Sequence, residues 1–332
     1  MIRKVVCPLL LTLTLATLTG CSATGFTKDN SVVANAESAN SQLSPAEIND
    51  PEINQYFQAI SQRILVTAKK LDAAGVGPAK HLTENTQWMF SPDIQFHLVN
   101  SKTINAFTTG GHHLYIYNGL FQLCKSEDEL AAVMAHEYGH VYSRHVQKGT
   151  DRSYLQMGAV GAAALGGYAY GGQDSAAQAQ QLGGTAAQFL GMGFTRNDEN
   201  EADKFGFMFY THAGWDPTHF ADFFKRMISM GLDSTPEMMS DHPKLAARVE
   251  NTNRRVSELS AKAPGWRQPP IADPAKLAHL QQRAQSLSAS QPTSESLQKA
   301  QTLLASFSSC VSPAEGQPEQ QAVRAKMTHK AK

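Results

Sequence analysis

The sequence has no excess of charge of either sign. Its 29 basic and 29 acidic residues cancel, which argues against a nucleic-acid-binding protein because such proteins concentrate basic residues on one face. Neither glycine nor glutamate and lysine dominates, and 8% of the residues are aromatic, so collagen-like, coiled-coil and wholly disordered classes are excluded. With 332 residues, 42% of them hydrophobic, the chain can bury a core and form one or two domains.

The N terminus lacks an apolar run of the roughly 20 residues that a membrane-spanning helix needs. Arg3 and Lys4 precede only a short apolar stretch, Val5–Leu18, which predicts a signal peptide over residues 1–20. Leu18-Thr19-Gly20-Cys21 resembles the bacterial lipobox, and Ser22 resembles the outer-membrane sorting pattern. The resemblance implies a lipid anchor on Cys21 that holds the protein at a membrane surface; plain cleavage near the same point is the alternative.

Cysteine is also scarce, with four residues in the chain. Cys7 is expected to leave with the signal peptide and Cys21 to carry lipid, so Cys124 and Cys310 remain. In an oxidising compartment these two can form a disulfide, and two free thiols are the alternative.

Changes in composition divide the rest of the chain into a tether, a folded domain and a C-terminal extension. Residues 21–45 are polar and small and are expected to form a flexible tether, followed by a folded domain at 46–260. Within that domain, the Gly/Ala-rich insert 157–193 favours either a mobile helical hairpin or lid, or tight packing of helices. Residues 261–332 are rich in Pro, Gln, Ser and Ala, which predicts a partly disordered C-terminal extension.

Hydrophobic periodicity predicts an α+β protein, mainly helical with a small sheet. Apolar alternation predicts strands at 94–99 and 113–117. Helical spacing and capping residues predict helices at 51–71, 127–146, 197–213, 216–230 and 242–254, with weaker amphipathic stretches at 274–287 and 294–307.

The helix predicted to begin at Glu127 carries His136-Glu137-Tyr138-Gly139-His140. The two histidines are separated by about 40° around the helix and about 6 Å along it, so both imidazoles can bind one ion. Glu137 lies at the neighbouring azimuth, where its carboxylate can take a proton from a water beside the metal. HExxH at this place predicts a zinc hydrolase.

Tetrahedral zinc needs a further protein ligand beyond two histidines. The position that would carry the third histidine of a metzincin is Val146, which excludes that class. On a continuous helix His145 lies about 180° from His136 and would not bind the same ion. A later predicted helix supplies Glu199 and Asp203 on one face, so that one can bind the metal while the other holds a ligand histidine.

HEYGH together with Glu199-Asn200-Glu201-Ala202-Asp203 resembles the HExxH and ExxAD motifs of the HtpX-like and CAAX-prenyl-protease-like gluzincin metallopeptidases. The resemblance covers about residues 50–258 and implies a gluzincin-type zincin fold with one Zn²⁺ per chain. It implies that Glu199 is the third zinc ligand and that Asp203 supports a ligand histidine; Glu201 is the rival ligand. The lipobox and the lack of spanning helices resemble most the periplasmic outer-membrane lipoprotein peptidases (LoiP/BepA-like).

Two further elements carry this resemblance. Asn105-Ala106-Phe107 resembles the family's edge strand, which lies above the HExxH helix and binds an extended substrate as an added strand. Asp241-His242-Pro243 with Arg248 resembles the downstream His-Pro element. His242 is therefore a candidate second oxyanion donor or removable fourth zinc ligand, and helix capping is the alternative. His112 and His113 are expected at the surface or in a substrate groove.

The expected function is a zinc endopeptidase, anchored by lipid to the outer membrane and facing the periplasm. Its expected substrates are misfolded or misassembled envelope proteins. Its expected partners are the membrane and the outer-membrane assembly machinery, and no nucleic acid is expected. The alternative is a chaperone or assembly factor that uses the zincin fold as a scaffold; an exopeptidase would need a group that binds a substrate terminus.

Overall fold

A computed structural model describes residues 29–76, 86–152, 194–232, 244–259, 263–305 and 307. Within these residues the fold combines α-helices with one small sheet. The helices are α1 (Asp29–Leu43), α2 (Pro51–Ala73), α3 (Asn118–Leu123), α4 (Glu127–Tyr142), α5 (Arg196–His212), α6 (Asp222–Ser229), α7 (Leu245–Ser257), α8 (Pro274–Ser290) and α9 (Glu295–Leu304), and the strands are β1 (Gln95–Val99), β2 (Ala106–Thr108) and β3 (His113–Tyr117). The mostly helical α+β class expected from the sequence is confirmed.

The sheet has the strand order β1-β3-β2. β1 runs parallel to β3 with Phe96 opposite Leu114, and β2 runs antiparallel to β3 with Phe107 opposite Tyr115. The two strands expected from apolar alternation are therefore present at their expected positions. β2 lies at one edge of the sheet.

α4 passes through the centre of the molecule, and its side chains are buried on almost every face. Ser126 accepts a hydrogen bond from the amide of Glu129, and the Glu129 carboxylate accepts one from the amide of Lys125, which satisfies free amides at the start of the helix. α4 packs against α5, α2, α6 and β2. The residues it carries are consequently held in a fixed frame.

α4 ends four residues before the expected Val146. A turn at Ser143 and Arg144 follows Tyr142, and the chain becomes helical again over 145–152. Arg144 has a φ of 56°, a left-handed conformation that non-glycine residues rarely adopt. Its guanidinium donates two hydrogen bonds to Oδ1 of Asp29, and both side chains are buried. This ion pair explains why the helix stops here.

The expected flexible tether is wrong for residues 29–43, which form α1. Val32, Ala36, Ala39 and Leu43 lie on one face of α1 and are buried against the sheet and α9. Two of these four residues are alanines and most of the other residues of α1 are polar, which is why the composition looks like that of a linker.

The C-terminal extension is folded over most of its described part. α8 and α9 match the two weakly amphipathic stretches, and α8 buries Leu277, Leu280 and Ala284 in the main core. α9 packs against α1 and contributes Leu303 and Leu304 to a second core. Both helices are therefore part of the same folded body as the rest of the domain.

The single helix expected over 216–230 is wrong, because a short 3₁₀ turn at Pro217–His219 precedes α6. Phe220 is buried against Phe207 and Tyr210 of α5, with ring centroids 5.4 and 5.3 Å apart, and this packing redirects the chain. Among the described residues, the helices are too short or too polar to cross a membrane. The expected signal peptide, the whole of the Gly/Ala-rich insert 157–193 and residues 308–332 lie outside the described residues.

Candidate metal centre

Two glycines let α4 and α5 approach backbone to backbone. A Cβ atom at Gly139 would lie 2.6 Å from the carbonyl oxygen of Ala202, and one at Gly206 would lie 2.9 Å from Cα of His136. Any other residue at these positions would force the two helices apart. This close contact brings the first turns of α5 beside the last turns of α4.

His136, His140 and Glu199 meet at this contact, with one ligand atom of each within 4.8 Å of the others. Nε2 of His136 lies 3.2 Å from Nε2 of His140, and the Glu199 carboxylate lies 3.4 Å from the first and 3.9 Å from the second. All three side chains are fully buried. Two imidazole nitrogens and one carboxylate oxygen form the donor set of many catalytic zinc sites, so these residues fit the ion.

Asp203 and Arg248 support His136 from behind. Oδ1 of Asp203 lies 2.9 Å from Nδ1 of His136, and Arg248 donates two hydrogen bonds to Asp203 while its guanidinium lies 3.8 Å from Glu199. Burial and the charge of Arg248 lower the pKa of His136, but its hydrogen bonds to Asp203 and Glu199 outweigh both and raise the pKa to about 9. Burial raises the pKa of Asp203, and the charge of Arg248 with the His136 contact reverses this and lowers it to about 2.

His145 and Glu201 lie behind His140. Nδ1 of His145 lies 2.9 Å from Nδ1 of His140, and Nε2 of His145 lies 2.9 Å from the Glu201 carboxylate. The left-handed Arg144 turns His145 back toward the site, so the azimuth expected from a continuous helix is wrong. Glu201, the rival ligand, is outside the group of three potential ligands and contacts His145 and Lys148 instead.

The charges behind His140 differ from those behind His136. Burial lowers the pKa of His140 well below its usual value. The hydrogen bond from His145 and the contact with Lys148 outweigh burial at Glu201 and lower its pKa to about 2. Phe194 stacks on the His140 ring with centroids 3.9 Å apart. The sequence pattern did not identify His145 as a neighbour of His140, because the position of His145 depends on the left-handed backbone conformation of Arg144.

The other expected site residues in the described part of the chain lie outside the group of three potential metal ligands. Glu137 is fully buried on α4, and Asn105, also fully buried, immediately precedes β2. The Asn105 side-chain amide has no hydrogen-bond partner in the described structure. His112 and His113 contact Glu37 of α1 rather than the three potential metal ligands.

Three expected features remain predictions. Cys21 and His242 lie outside the described residues, as does Cys310. Cys124 is a buried free thiol, and burial raises its pKa well above the usual value. Pairing of Cys124 with Cys310 is therefore untested.

The sequence profile of peptidase family M48 matches residues 79–256, just over half of the chain. The chain belongs to peptidase family M48. This family is zinc-dependent, which agrees with the donor set of His136, His140 and Glu199. Membership places the chain among the zinc metallopeptidases, which are hydrolases.

The M48 chain is similar to proteins from bacteria and mitochondria. It is 30% identical to a beta-barrel assembly-enhancing protease of Escherichia coli over 49% of this chain and 34% of the relative. It is 28% identical to metalloprotease LoiP of Escherichia coli over 49% of this chain and 63% of that protein. It is 29% identical to mitochondrial metalloendopeptidase OMA1 of Saccharomyces cerevisiae over 48% of this chain and 46% of that protein. The match spans only about a third of the length of the beta-barrel assembly-enhancing proteases.

Proposed function

We propose that this M48 chain is a zinc-dependent endopeptidase that hydrolyses internal peptide bonds of envelope proteins. The observation that carries the proposal is the convergence of His136, His140 and Glu199 in a fully buried group of potential zinc ligands. Zinc bound there would supply Lewis-acid chemistry, lowering the pKa of water and polarising the scissile carbonyl.

Glu137 is the proposed general base. It follows a potential zinc ligand on α4, and its burial excludes bulk water that would compete for its proton. Its carboxylate accepts the proton of the attacking water and then donates it to the leaving amine. The Asp203 carboxylate accepts a hydrogen bond from Nδ1 of His136, which leaves Nε2 directed toward Glu199.

Substrate is proposed to bind along β2, an edge strand that packs near α4. An extended peptide can add to such an edge through main-chain hydrogen bonds. The partner-free amide of Asn105 can donate to and accept from that peptide. Phe107 stacks on Phe307 with centroids 4.0 Å apart, so the Phe307 ring lies against β2.

The test of the peptidase is Glu137→Gln, assayed with casein and by elemental analysis for zinc. Loss of the base should lower cleavage at least about 10²-fold while zinc content stays near one ion per chain. Glu258→Gln, an exposed control on the surface, should cleave as the wild type does. Equal cleavage by the Glu137→Gln and wild-type proteins would reject Glu137 as the base.

His242 is proposed to act either as a second oxyanion donor or as a removable fourth zinc ligand. The first role predicts that His242→Ala lowers turnover, and the second predicts weaker zinc binding. If turnover and zinc affinity are both unchanged, neither role stands.

The envelope location and the quality-control role extend the proposal. They are supported by the lipobox resemblance at Cys21 and by similarity to a beta-barrel assembly-enhancing protease. Labelling with a palmitate analogue should modify the wild type and not Cys21→Ser. Glu137→Gln should trap misfolded or misassembled envelope proteins in cells; recovery of none above the level seen with the wild type would contradict this role.

A further inference from the structure

A third histidine, which is not one of the three potential ligands, contacts the metal centre. His145 is fully buried, with its Nδ1 2.9 Å from Nδ1 of His140 and its Nε2 2.9 Å from Oε2 of Glu201. Lys148 donates to the same Glu201 oxygen at 2.9 Å. These contacts form a continuous chain of hydrogen bonds from a half-buried carboxylate to a potential zinc ligand.

The direction of proton donation along these hydrogen bonds follows from the groups at the two ends of the series. A carboxylate accepts hydrogen bonds, so Nε2 of His145 carries the proton that is donated to Glu201. In the neutral ring Nδ1 of His145 is then an acceptor, and the proton between the two rings must reside on Nδ1 of His140. His140 is left with a lone pair on Nε2, the atom that lies 3.2 Å from Nε2 of His136.

We infer that His145, held by Glu201, is a positioning residue that fixes the tautomer and ring orientation of His140 for zinc binding. The inference rests on the proposed zinc site. It assigns to His140 the same kind of support that Asp203 gives to His136. Both ligand histidines are then ordered before the metal arrives.

The backbone conformation of Arg144 places His145 against His140. Its left-handed conformation ends α4 and turns His145 toward His140, and the buried ion pair with Asp29 of α1 holds that conformation. The Phe194 ring is stacked on the face of the His140 imidazole and restricts its rotation. His145 cannot itself join the three ligands in this geometry, because its Nδ1 contacts the nitrogen of His140 that faces away from His136.

Two substitutions of similar shape separate the hydrogen bond from packing. His145→Asn keeps an acceptor oxygen near the position of Nδ1, whereas His145→Leu has no acceptor there. Zinc affinity is measured on the full chain by competition with a chromogenic chelator. We expect His145→Leu to weaken zinc binding about 10- to 100-fold and His145→Asn to remain within about threefold of the wild type.

His212→Leu is the matched control, because His212 stacks on Trp266 and bonds to Met208 rather than to the metal centre. Its zinc affinity should equal that of the wild type. Equal affinities of the Leu and Asn variants at position 145 would overturn the inference.

A spectroscopic measurement on the wild type keeps the inference testable even if His145→Leu does not fold. Long-range ¹H–¹⁵N correlation spectra of the zinc-free chain report which nitrogen of His140 is protonated. A proton on Nδ1 supports the inference, and a proton on Nε2 overturns it. Failure of the peptidase itself would appear differently, as wild-type protein that binds zinc with the expected His145 dependence and does not cleave casein.

Discussion

Arg248 places a positive charge beside two buried carboxylates of α5, those of Glu199 and Asp203. It is almost fully buried, pairs with Asp203 through two hydrogen bonds and lies over the Phe224 ring, with its guanidinium carbon 4.0 Å from the ring centroid. Buried charges are tolerated only when they are paired. In the zinc-free protein, Arg248 is therefore expected to contribute to folding as well as to the site.

The first prediction concerns Arg248→Met. Removing the arginine leaves the buried negative charges of Asp203 and Glu199 less well compensated. The free energy of unfolding of the zinc-free chain should therefore fall by about 3 kcal/mol. Urea denaturation measures it. Arg254→Met, at an exposed position of the same helix, should stay within about 0.5 kcal/mol of the wild type; similar losses in both variants would contradict the assignment.

At the scale of elements, the α4–α5 contact depends on the absence of side chains at Gly139 and Gly206. Their nearest neighbours across the interface are backbone atoms, which cannot move aside without moving the helix. The ligand set therefore depends on helix spacing as well as on ligand identity.

The second prediction follows for Gly139→Ala. Alanine favours a helix by about 1 kcal/mol over glycine, yet its Cβ would overlap the Ala202 carbonyl, so the net result should be a loss of about 1–3 kcal/mol and weaker zinc binding. Urea denaturation and chelator competition measure the two effects. Gly265→Ala, where a Cβ meets open space, should lose neither stability nor affinity. A Gly139→Ala protein as stable as the wild type would show that the helices can separate at little cost.

α1 is attached to the sheet partly through titratable groups. Oε2 of Glu37 lies 2.8 Å from Nε2 of His113, whose Nδ1 lies 2.9 Å from Nε2 of His97. The hydrogen bond to His113 lowers the pKa of Glu37, and burial lowers the pKa of His113.

The third prediction is the sign of a pH effect at this contact. Because the folded chain lowers the pKa of His113 below 6.5, the unfolded chain binds the proton more readily, and stability falls as the pH drops through 6.5. The lowered pKa of Glu37 adds a loss in the same direction below about 4.5. Thermal unfolding between pH 7.5 and 5 should depend less on pH in His113→Asn than in the wild type. An identical pH dependence of the two proteins would exclude this contribution.

At the scale of the whole molecule, the potential zinc ligands lie on α4 and α5, and α7 supplies the buried arginine behind them. An ion that binds only the folded chain stabilises it by mass action. Zinc should therefore bind most tightly to the complete fold.

The fourth prediction is that zinc at about 100 times its Kd raises the unfolding free energy by about 2.7 kcal/mol, or the midpoint by about 5–10 °C. Thermal unfolding with added zinc and with a chelator measures it. Glu137→Gln should keep this shift, because Glu137 is the proposed base and not one of the three potential ligands, whereas Glu199→Gln should reduce it. A midpoint that does not respond to zinc in the wild type would contradict a zinc site in this fold.

The positions of most helices and strands could be predicted from the sequence, because periodicity and caps are local. Ser126 and Asp50 accept backbone hydrogen bonds at the starts of α4 and α2, and His136 and His140 share a face of one helix for the same local reason. The pairing of these histidines with Glu199 rested on a resemblance between motifs, and the structure brings the three together.

Local patterns failed where long-range contacts determine the backbone. α1 looked like a linker because most of its residues are polar or alanine. The left-handed turn at Arg144 depends on a buried ion pair with Asp29, 115 residues earlier. That turn places His145 against His140. The sequence by itself determined most of the helices and which residue types can bind zinc, since both depend on neighbours a few positions apart. Only the tertiary structure decided what supports each ligand, because those contacts join residues that are distant in the chain.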